Sequence, residues 1–358
     1  MSDFLAAEGM RAESAAVTDL ARHDGWARLV RGSPPQLSPR WLGVYQEAFG
    51  RPLRCVLVHG RDDAPLVGCV FHIRHPGDHH QRYQLAALLA KADIPGDLRR
   101  ALEQRIEDPV AVVVAPSSDA PGIHRAEAGP HGAAAVSRLI EEVARIAVGE
   151  GARTMLMPHL SPLDGDTITN VWDGSCVINR DRTAHLDLRG VRTFDDYLAR
   201  LNAERRRKIL RDRRKFAEAG LTGRVRHELP DIDQMVQRQC GHYKRHGIDA
   251  DPVRIRSQFE SLARAYADNI RVVEVMRDAD VIGHVLVVVE GEWVIPRLAG
   301  FEPGVPFAYF EAGYYRVIEL ALGQLGRQLI DYGGAALEVK RLRGCSLVET
   351  VDVAGVLS

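Results

Sequence analysis

The chain has few cysteines, and they are not spaced for metal binding or redox chemistry. None of the five forms a C-x-x-C motif; they are Cys55, Cys69, Cys176, Cys240 and Cys345. A disulfide framework or a zinc finger needs cysteines at such spacing. The sequence therefore predicts neither, and it favours a reducing compartment. His75, His79 and His80 lie close together but have no other ligand type at useful spacing, so no metal ion is expected there.

Long apolar runs are also missing. No stretch is long and apolar enough to span a bilayer, and the first residues lack the basic and apolar regions of a signal peptide. We therefore expect a cytoplasmic protein without an integral membrane segment, while peripheral membrane association stays open. The net charge of −1 excludes no class of partner, and 358 residues are enough for two domains.

Residues 1–35 are rich in alanine and polar side chains and end in Gly32-Ser33-Pro34-Pro35. This composition predicts a flexible N-terminal segment. From residue 36 onward, apolar runs of strand type alternate with patterns of helical period. The chain is therefore predicted to be an α/β protein.

One order of elements is predicted twice. In each half, two apolar runs form a hairpin, and a strand, a loop, a helix, a glycine and another strand follow. The second hairpin strand has a glycine at the matching position, Gly68 in the first half and Gly283 in the second. We interpret this pattern as an internal duplication, with a first module over residues 36–190 and a second over 191–358.

The segment over residues 194–220, at the start of the second module, is predicted to be a helix with a dense basic run. Residues 205–215 include eight basic side chains, opposed locally only by Glu204 and Asp212. The helix is either a binding site for phosphate groups or a solvated linker between the modules. The candidate phosphate contacts are Arg205, Arg206, Arg207, Lys208 and Arg211.

The stretch over residues 309–344 is predicted to form a helix, a short strand and a charged loop. Apolar residues recur every three or four positions up to residue 325, and Gly326 follows as a C-cap. Asp331 lies near the end of the strand, and Gly333 and Gly334 follow it. Two adjacent glycines allow the backbone to approach a ligand closely. Ligands usually bind at strand ends in α/β sheets, so this is the candidate site. A cap, a turn and solvated charges are the alternative interpretation.

The pattern Asp331-Tyr332-Gly333-Gly334, followed by Glu338 and Lys340, resembles the C-terminal signature of the Fem-like branch of the GNAT acyltransferase superfamily. The basic segment also resembles the segment between modules in that branch. The resemblance covers residues 40–345. It implies two tandem GNAT-like modules, each a mixed central sheet flanked by helices. The branch includes tRNA-dependent aminoacyltransferases of peptidoglycan synthesis and many bacterial acyltransferases without an assigned substrate.

The resemblance also suggests catalytic residues. Lys340 matches the family lysine that faces the developing oxyanion or the leaving group, a role suited to a protonated amine. Asp331 and Glu338 either accept a proton, bind the acceptor amine, or serve as a cap and an ion-pair partner. Val339 departs from the family, which commonly has an aromatic residue before the lysine.

Further side chains near these motifs are candidate substrate contacts. Tyr309 and Tyr315 flank the start of the last predicted helix, while Tyr314 lies on its apolar stripe and is expected in the core. The remaining candidates are Arg297, Arg343 and His242.

The loop that binds pyrophosphate in enzymes using acetyl-CoA is incomplete. Arg297 and Gly300 fit the first half of the usual Arg/Gln-x-x-Gly-x-Gly/Ala motif. Glu302 then adds a negative charge, and Pro303 and Pro306 remove amide donors. Fem-like enzymes depart from this motif in the same way, so the resemblance implies a donor other than acetyl-CoA, with aminoacyl-tRNA as the leading candidate. Acyl-CoA and a carrier-protein thioester stay open as donors.

We therefore expect an N-acyltransferase without a tightly bound cofactor. It would transfer an aminoacyl group, from aminoacyl-tRNA, directly to an amine of a small metabolite or a cell-wall precursor. One alternative is an acyl-CoA-dependent N-acyltransferase of the same fold. An alternative from another class is a catalytically silent RNA-binding module. DNA is not expected as a partner.

Overall fold

The computed structural model describes residues 9–76, 78, 83–115, 119–126, 132–248 and 250–357. The chain divides into two compact units. The first comprises Met1–Gln46, Gly50–Arg182 and Glu349–Ser358, and the second Glu47–Phe49 and Thr183–Val348. Residues 349–358, predicted in the second module, thus belong to the first unit. His79 and His80 lie outside the described residues.

The helices are, in chain order, α1 (Asp24–Leu29), α2 (Pro39–Phe49), α3 (Leu85–Leu89), α4 (Gly96–Glu103), α5 (Gly132–Gly149), α6 (Pro162–Val171), α7 (Phe194–Arg200), α8 (Ala203–Glu218), α9 (Ile232–Arg245), α10 (Pro252–Ala265), α11 (308–325) and α12 (Leu337–Arg341). In α11, α-helical turns at Ala308–Phe310 and Arg316–Leu320 alternate with wider π-helical turns at Glu311–Tyr315 and Ala321–Leu325. Short 3₁₀ turns occupy Val17–Arg22, Pro35–Leu37 and Ala267–Asn269. Within the described ranges, no helix has the length and apolar character needed to cross a membrane.

The strands are β1 (Arg11–Ala16), β2 (Arg54–His59), β3 (Pro65–Arg74), β4 (Val110–Val112), β5 (Ile123–Arg125), β6 (Thr154–Leu160), β7 (Ser175–Asp187), β8 (Leu221–Arg226), β9 (Ile270–Arg277), β10 (Asp280–Glu290), β11 (Trp293–Phe301), β12 (Leu329–Gly333) and β13 (Ser346–Val356). The chain passes from one unit to the other within β7 and again within β13.

In the first unit, the strand order is β1-β2-β3-β4-β6-β13, and β5 pairs with β3. Only β4 and β6 are parallel neighbours in this set. Strand side chains alternate between two faces. Val56 and Val58 face a core with α5, whereas Cys55 and Leu57 face a core that contains Trp26 of α1. Helices therefore cover both faces of this sheet.

The prediction of a flexible segment over residues 1–35 is wrong for its described part. β1 forms an antiparallel ladder with β2, and Val17, Leu20 and Trp26 are fully buried. The indole of Trp26 donates to the carbonyl of Leu37 at 3.0 Å. Burial of a few large apolar side chains outweighs the polar composition that suggested disorder. Residues 1–8 lie outside the described residues.

In the second unit, the strand order is β7-β12-β11-β10-β9-β8. β11 and β12 are parallel, and the other neighbouring strands are antiparallel. One face of the sheet packs against α7, α8 and α11 in a core that includes Val273, Val275 and Val287. The glycine at position 300 allows the opposite face to approach α9 closely, because a Cβ there would meet backbone atoms of Arg238 and Gln239.

The basic segment is two helices rather than one. α7 begins with a capping box, in which Thr193 and Asp196 bond each other's backbone N–H. It ends at Arg200, and Asn202 caps α8 by accepting from the N–H of Arg205. The predicted single helix over 194–220 is therefore interrupted, because an Asn at this position favours a new N-terminus over a continuing helix.

The predicted repeat in the order of elements is present. The hairpin β2–β3, then β4, α5 and β6 in the first unit correspond to β9–β10, then β11, α11 and β12 in the second. In both sets the two strands around the helix are parallel. Both matched positions need glycine because an aromatic ring packs closely against the strand there. A Cβ at Gly68 would meet Trp26, and a Cβ at Gly283 would meet Phe301. The predicted α/β class is confirmed.

We predict that Gly300→Ala destabilises the second unit by roughly 1–3 kcal/mol, because the new methyl group would lie 2.7 Å from the backbone nitrogen of Gln239 and from Cε1 of His284. Gly323→Ala is the control, since a Cβ at this exposed helical glycine meets nothing within 4 Å. It should be neutral or stabilising by up to about 1 kcal/mol. Urea unfolding of both variants measures the difference, and equal stability would contradict the close packing of α9 on β11.

Candidate active site

The two parallel strands of the second unit separate toward their carboxyl ends. In the described part of the chain, β11 and β12 pair only at residues 293–294 and 329–330. Asp331 then lies opposite His185 of β7, whereas β11 continues beside β10 as far as Phe301. Diverging strand ends of this kind are where α/β sheets usually bind ligands.

Lys340 is buried, and its side chain is hydrogen-bonded to the end of β12. Its ammonium group donates to the carbonyl oxygen of Tyr332 and, at 2.9 Å, to that of Gly333. Only 3% of the residue is exposed. The stretch around it was predicted to be a loop, but Leu337–Arg341 forms the helix α12. The lysine explains the difference, because it links this helical turn to the strand end.

The two candidate carboxylates differ in setting. Asp331 is buried, and its Oδ1 accepts the N–H of Gly333 at 2.9 Å and lies 3.5 Å from Nε2 of His185. It therefore shapes the turn that follows the strand. Glu338 is exposed and pairs with Arg341, and this hydrogen bond lowers the pKa of the Glu338 carboxyl. At neutral pH it is a carboxylate rather than a proton donor.

Arg343 and Tyr315, both predicted to contact substrate, lie in the core instead. The Arg343 guanidinium donates to Oδ2 of Asp212 at 3.3 Å, and the Tyr315 hydroxyl donates to the same oxygen at 3.2 Å. The guanidinium also lies 3.9 Å from the ring centroid of Phe310. The Tyr197 hydroxyl donates to the Arg343 carbonyl at 2.8 Å. A buried charge is stable only when it is paired and hydrogen-bonded, and this set of contacts meets that need.

Tyr309 differs from its aromatic neighbours in being 39% exposed. Its ring packs edge-on against Phe301 and Tyr314, with centroids 5.9 and 5.7 Å apart. Tyr314 is buried, as its place on the apolar stripe predicted. Arg297 is half-buried on β11. Of the candidate substrate contacts on α11, Tyr309 therefore keeps an accessible surface.

The loop between β11 and α11 offers few amide donors. Pro303 and Pro306 have no N–H, and the N–H of Glu302 donates to the carbonyl of Ile282 at 2.9 Å. Phe307 begins the helix in a left-handed conformation, with a φ of 58°, and its side chain makes no capping hydrogen bond. The geometry agrees with the incomplete pyrophosphate motif in the sequence.

The outward face of α8 is basic and largely unpaired. Arg206, Arg207 and Arg211 are exposed, and within the described ranges no carboxylate forms an ion pair with any of them. Arg205 is half-buried, and Lys208 is 3.9 Å from Asp212. The predicted phosphate contacts are therefore brought together on one helix, and the three exposed arginines have no acidic partner among the described residues.

The inward face of α8 is held by ion pairs as well as by apolar contacts. Arg213 donates to Glu319 at 2.7 Å and to Glu311 at 3.1 Å, both on α11. Ile209 and Phe216 are buried beside these pairs. The sequence predicted the apolar side of the helix, but it gave no sign that α11 supplies the acidic partners.

A row of polar side chains beneath α9 escaped the sequence analysis. Arg224, Glu274 and His284 lie opposite one another on β8, β9 and β10. Arg224 donates to Glu274 at 2.5 Å, and Glu274 and His284 are fully buried. A signal was present for two of them, because Glu274 and His284 each interrupt a run of valine and other apolar residues.

Burial keeps two histidines in this region neutral. It lowers the pKa of His284 to about 3, with smaller contributions from Arg238 and His242. It also lowers the pKa of His242 to about 4, helped by His246 and Arg245. His242, predicted as a substrate contact, is half-buried, with its ring 4.7 Å from that of His246. It can accept a hydrogen bond at neutral pH but is a weak base.

A cleft of about 600 Å³ lies at the carboxyl end of β11. The exposed ends of β9 and β10, residues 302–303 and one side of α9 line it. Arg238, Arg245 and Arg277 give it positive charge, while Asp280 and Glu302 oppose them. Two of the arginines also support the fold, since Arg238 donates to the carbonyl of Val281 at 3.1 Å and Arg245 to that of Phe301.

Comparison with protein-family models decides the family. Residues 109–356, more than half of the chain, match the FemAB-like family, described as peptidoglycan biosynthesis and recognition. The chain belongs to the FemAB-like family. The resemblance predicted from the signature around Asp331 and Lys340 is thereby confirmed. A search of curated proteins found no match.

Solved structures agree on the fold of this FemAB-like protein. FemX matches with a TM-score of 0.58 at 11% identity, over 96% of this chain and 97% of FemX. A conserved protein of unknown function from Bacteroides thetaiotaomicron gives 0.57 at 11% identity, over 98% and 100%. A tandem GNAT protein from the clavulanic acid biosynthesis pathway gives 0.52 at 11% identity, over 98% and 99%. These similarities show a shared tandem GNAT fold. Family and fold together support an acyltransferase in general.

We predict that Arg343→Met destabilises the protein by about 3–5 kcal/mol, because it leaves the buried carboxylate of Asp212 without its guanidinium partner. Methionine retains most of the apolar volume of the arginine stem. Arg341→Met is the matched control, since Arg341 lies two positions away in an exposed pair with Glu338 and should change stability little. Urea unfolding measures both. Equal effects would show that the buried network adds nothing to stability.

Stability should fall with acid through His284. Its pKa is about 3 in the folded protein against a usual 6.5, so the unfolded chain binds a proton that the folded chain excludes. The stabilisation is complete above pH 6.5 and is lost as the pH falls toward 3. Between pH 7 and 5 the loss from this group is about 2 kcal/mol. Unfolding across this range should show a flatter pH dependence for His284→Gln than for the exposed control His227→Gln. Equal slopes would contradict the neutral, buried state of His284.

Proposed function

We propose that this FemAB-like protein transfers an aminoacyl group from aminoacyl-tRNA to an amine. The observation behind the proposal is the outward face of α8, where Arg206, Arg207 and Arg211 are exposed and have no acidic partner in the part of the chain that the structure describes. A nucleic acid backbone is a regular array of phosphates that such a face suits. The family description, peptidoglycan biosynthesis and recognition, favours a cell-wall precursor as the acceptor over a small metabolite.

The anchoring of α8 strengthens the electrostatic argument. Arg213 is bound to two glutamates of α11, and Asp212 is bound to Arg343 and Tyr315. The helix therefore presents its outer guanidinium groups from a fixed backbone. Fixed charges lose less conformational freedom on binding than charges on a mobile segment. A solvated linker would not need buried ion pairs on its inner side.

The transfer itself requires alignment of two reactants and no covalent enzyme intermediate. The neutral amine attacks the ester carbonyl of the aminoacyl-tRNA, a C–N bond forms, and the C–O bond to the ribose breaks. The proton lost by the amine nitrogen ends on the ribose hydroxyl. We assign Lys340 and Asp331 to the shaping of the strand end at residues 331–334, where both are bonded to backbone groups. Glu338 is exposed shortly after this strand end in the sequence. The exposed Tyr309 packs against Tyr314, whose ring stacks on that of Tyr332. Glu338 and Tyr309 are our candidates for contact with the acceptor.

An acyl-CoA donor is the second candidate, supported by one observation. α11 begins at Ala308 without a side-chain cap, and the Phe307 carbonyl accepts the N–H groups of Phe310 and Glu311. Within the described residues, the N–H groups of Ala308 and Tyr309 have no backbone partner in this first turn. Such a helix start suits a phosphate group. Glu302 and the two prolines in the preceding loop oppose this arrangement through charge and through missing donors. We therefore rank acyl-CoA below aminoacyl-tRNA.

The test is binding of the full chain to tRNA and, separately, to coenzyme A over a range of salt concentrations. We expect salt-dependent tRNA binding and no coenzyme A binding. The triple variant Arg206→Gln/Arg207→Gln/Arg211→Gln should bind tRNA more weakly, with the log–log salt slope reduced by about two to three, because three phosphate contacts are lost.

The control variant removes the same charge elsewhere. It changes to glutamine three arginines that are each paired with a carboxylate, the exposed Arg189 and the half-buried Arg138 and Arg256. It should bind tRNA as the wild type does. An equal loss in both triple variants would point to net charge rather than to α8. Coenzyme A binding without tRNA binding would overturn the proposal in favour of the acyl-CoA alternative, and tRNA binding without transfer to any amine would indicate a silent RNA-binding module.

A further inference from the structure

We propose that Glu13, His23 and His59 in the first unit form a binding site for a divalent transition metal of the Zn²⁺ type. One ligand atom from each, a carboxylate oxygen and two imidazole nitrogens, lies within 4.8 Å of the other two. Glu13 is on β1, His23 precedes α1, and His59 is the last residue of β2. Two histidines and one carboxylate are a known ligand set for zinc, with a fourth position left for water.

The distances suit a metal ion between the ligands. Oε1 of Glu13 lies 3.5 Å from Nε2 of His59 and is hydrogen-bonded to Nε2 of His23. Ligands bound at about 2.0–2.2 Å in a tetrahedron lie roughly 3.3–3.6 Å apart. The 3.5 Å separation already has this value. A bound metal would replace the proton shared by Glu13 and His23, and that proton would leave to solvent.

The orientation of His59 is the strongest indication. Its Nδ1 lies 3.2 Å from the carbonyl oxygen of Asp63, which accepts a hydrogen bond from the Nδ1–H tautomer. Nε2 is then the lone-pair nitrogen, directed at the cluster. This nitrogen is buried and forms no hydrogen bond with any residue in the described ranges. A metal-binding histidine characteristically bonds a backbone carbonyl through its other nitrogen.

The residues around the cluster leave space for the two imidazole rings and place a positive charge beside Glu13. A Cβ at Gly25 would come within 3.2 Å of the His23 ring and 3.3 Å of the His59 ring, so a glycine there allows both imidazoles to approach. The other carboxylate oxygen of Glu13 is 2.5 Å from the Arg11 guanidinium. Glu13 thus keeps one oxygen for an ion while the other holds β1 in place. The site would tie the N-terminal strand to the β2–β3 hairpin.

The test uses the full chain, without an affinity tag and stripped of metal with a chelator, titrated with Co²⁺ and then with competing Zn²⁺. We expect one Co²⁺ per chain with the visible absorption of a four-coordinate site, displaced by Zn²⁺. Zn²⁺ at about 100 times its Kd should raise the Tm by roughly 5–10 °C. These readouts do not depend on transferase activity, so they separate this proposal from the proposed function.

Two variants test whether these residues bind the metal, and a third is the control. His59→Gln and Glu13→Gln should each weaken Co²⁺ binding by at least about 100-fold and abolish the Tm shift. The exposed His227→Gln, which removes a histidine far from the cluster in sequence, should bind as the wild type does. Because Glu13 is only partly buried, Glu13→Gln tests the site even if His59→Gln fails to fold. Absence of a four-coordinate spectrum in the wild type, or equal affinity in Glu13→Gln and His227→Gln, would show that the cluster is an ion pair only and overturn the proposal.

Discussion

The buried contact between Asp212 and Arg343 is the constraint around which the second unit is arranged. Asp212 belongs to the basic helix α8, Arg343 follows α12, and Tyr315 of α11 bonds the same carboxylate. Three elements that are distant in sequence thus converge on one charge pair. Removing charges from water is costly, and the pair is stable only because each group meets a partner at hydrogen-bond distance. The position of α8 follows from this requirement.

The same contact explains how one helix can be both buried and basic. On its inner side, Asp212 and Arg213 form ion pairs with residues of neighbouring elements. Ile209 and Phe216 are buried beside them. The outer guanidinium groups are then left without acidic partners among the described residues. On the proposed function, this charged surface on a fixed backbone is the feature that would bind a phosphate-bearing donor.

The side chains of Asp331 and Lys340 hold the end of β12 through bonds to its backbone. Lys340 bonds two carbonyl oxygens and Asp331 bonds the N–H of Gly333, so both hold the same short turn. An acyltransferase without a covalent intermediate depends on such fixed geometry, because alignment of the reactants supplies much of its rate. On the proposed function, loss of either side chain would impair transfer by displacing the backbone that the side chain holds.

The order of elements was readable from the sequence because it depends on local patterns. Apolar periods located the hairpin, the strand and the helix in each half, and Gly68 and Gly283 marked equivalent close contacts. The signature at Asp331 and Lys340 gave the family. These signals lie within a few residues of one another, so one chain is enough to see them.

The ion-pair partners of the charged residues could not be predicted from the sequence, because the two members of a pair lie far apart along the chain. Asp212 and Arg343 are separated by 131 positions, and no local pattern shows that they meet. Arg343 and Tyr315 therefore appeared as substrate contacts when they belong to the core. The N-terminal segment was misjudged for the same reason, since Trp26 is buried by residues of the β2–β3 hairpin and by Leu37. The Glu13, His23 and His59 cluster also joins separate segments.

The most direct test of the account is arginine-specific chemical modification of the full chain, with and without tRNA, read out by mass spectrometry. The account predicts that tRNA protects Arg206, Arg207 and Arg211 on the outer face of α8, while the ion-paired Arg189 and Arg256 react equally in both samples. Unchanged reactivity on α8 at a tRNA concentration that saturates binding would contradict it.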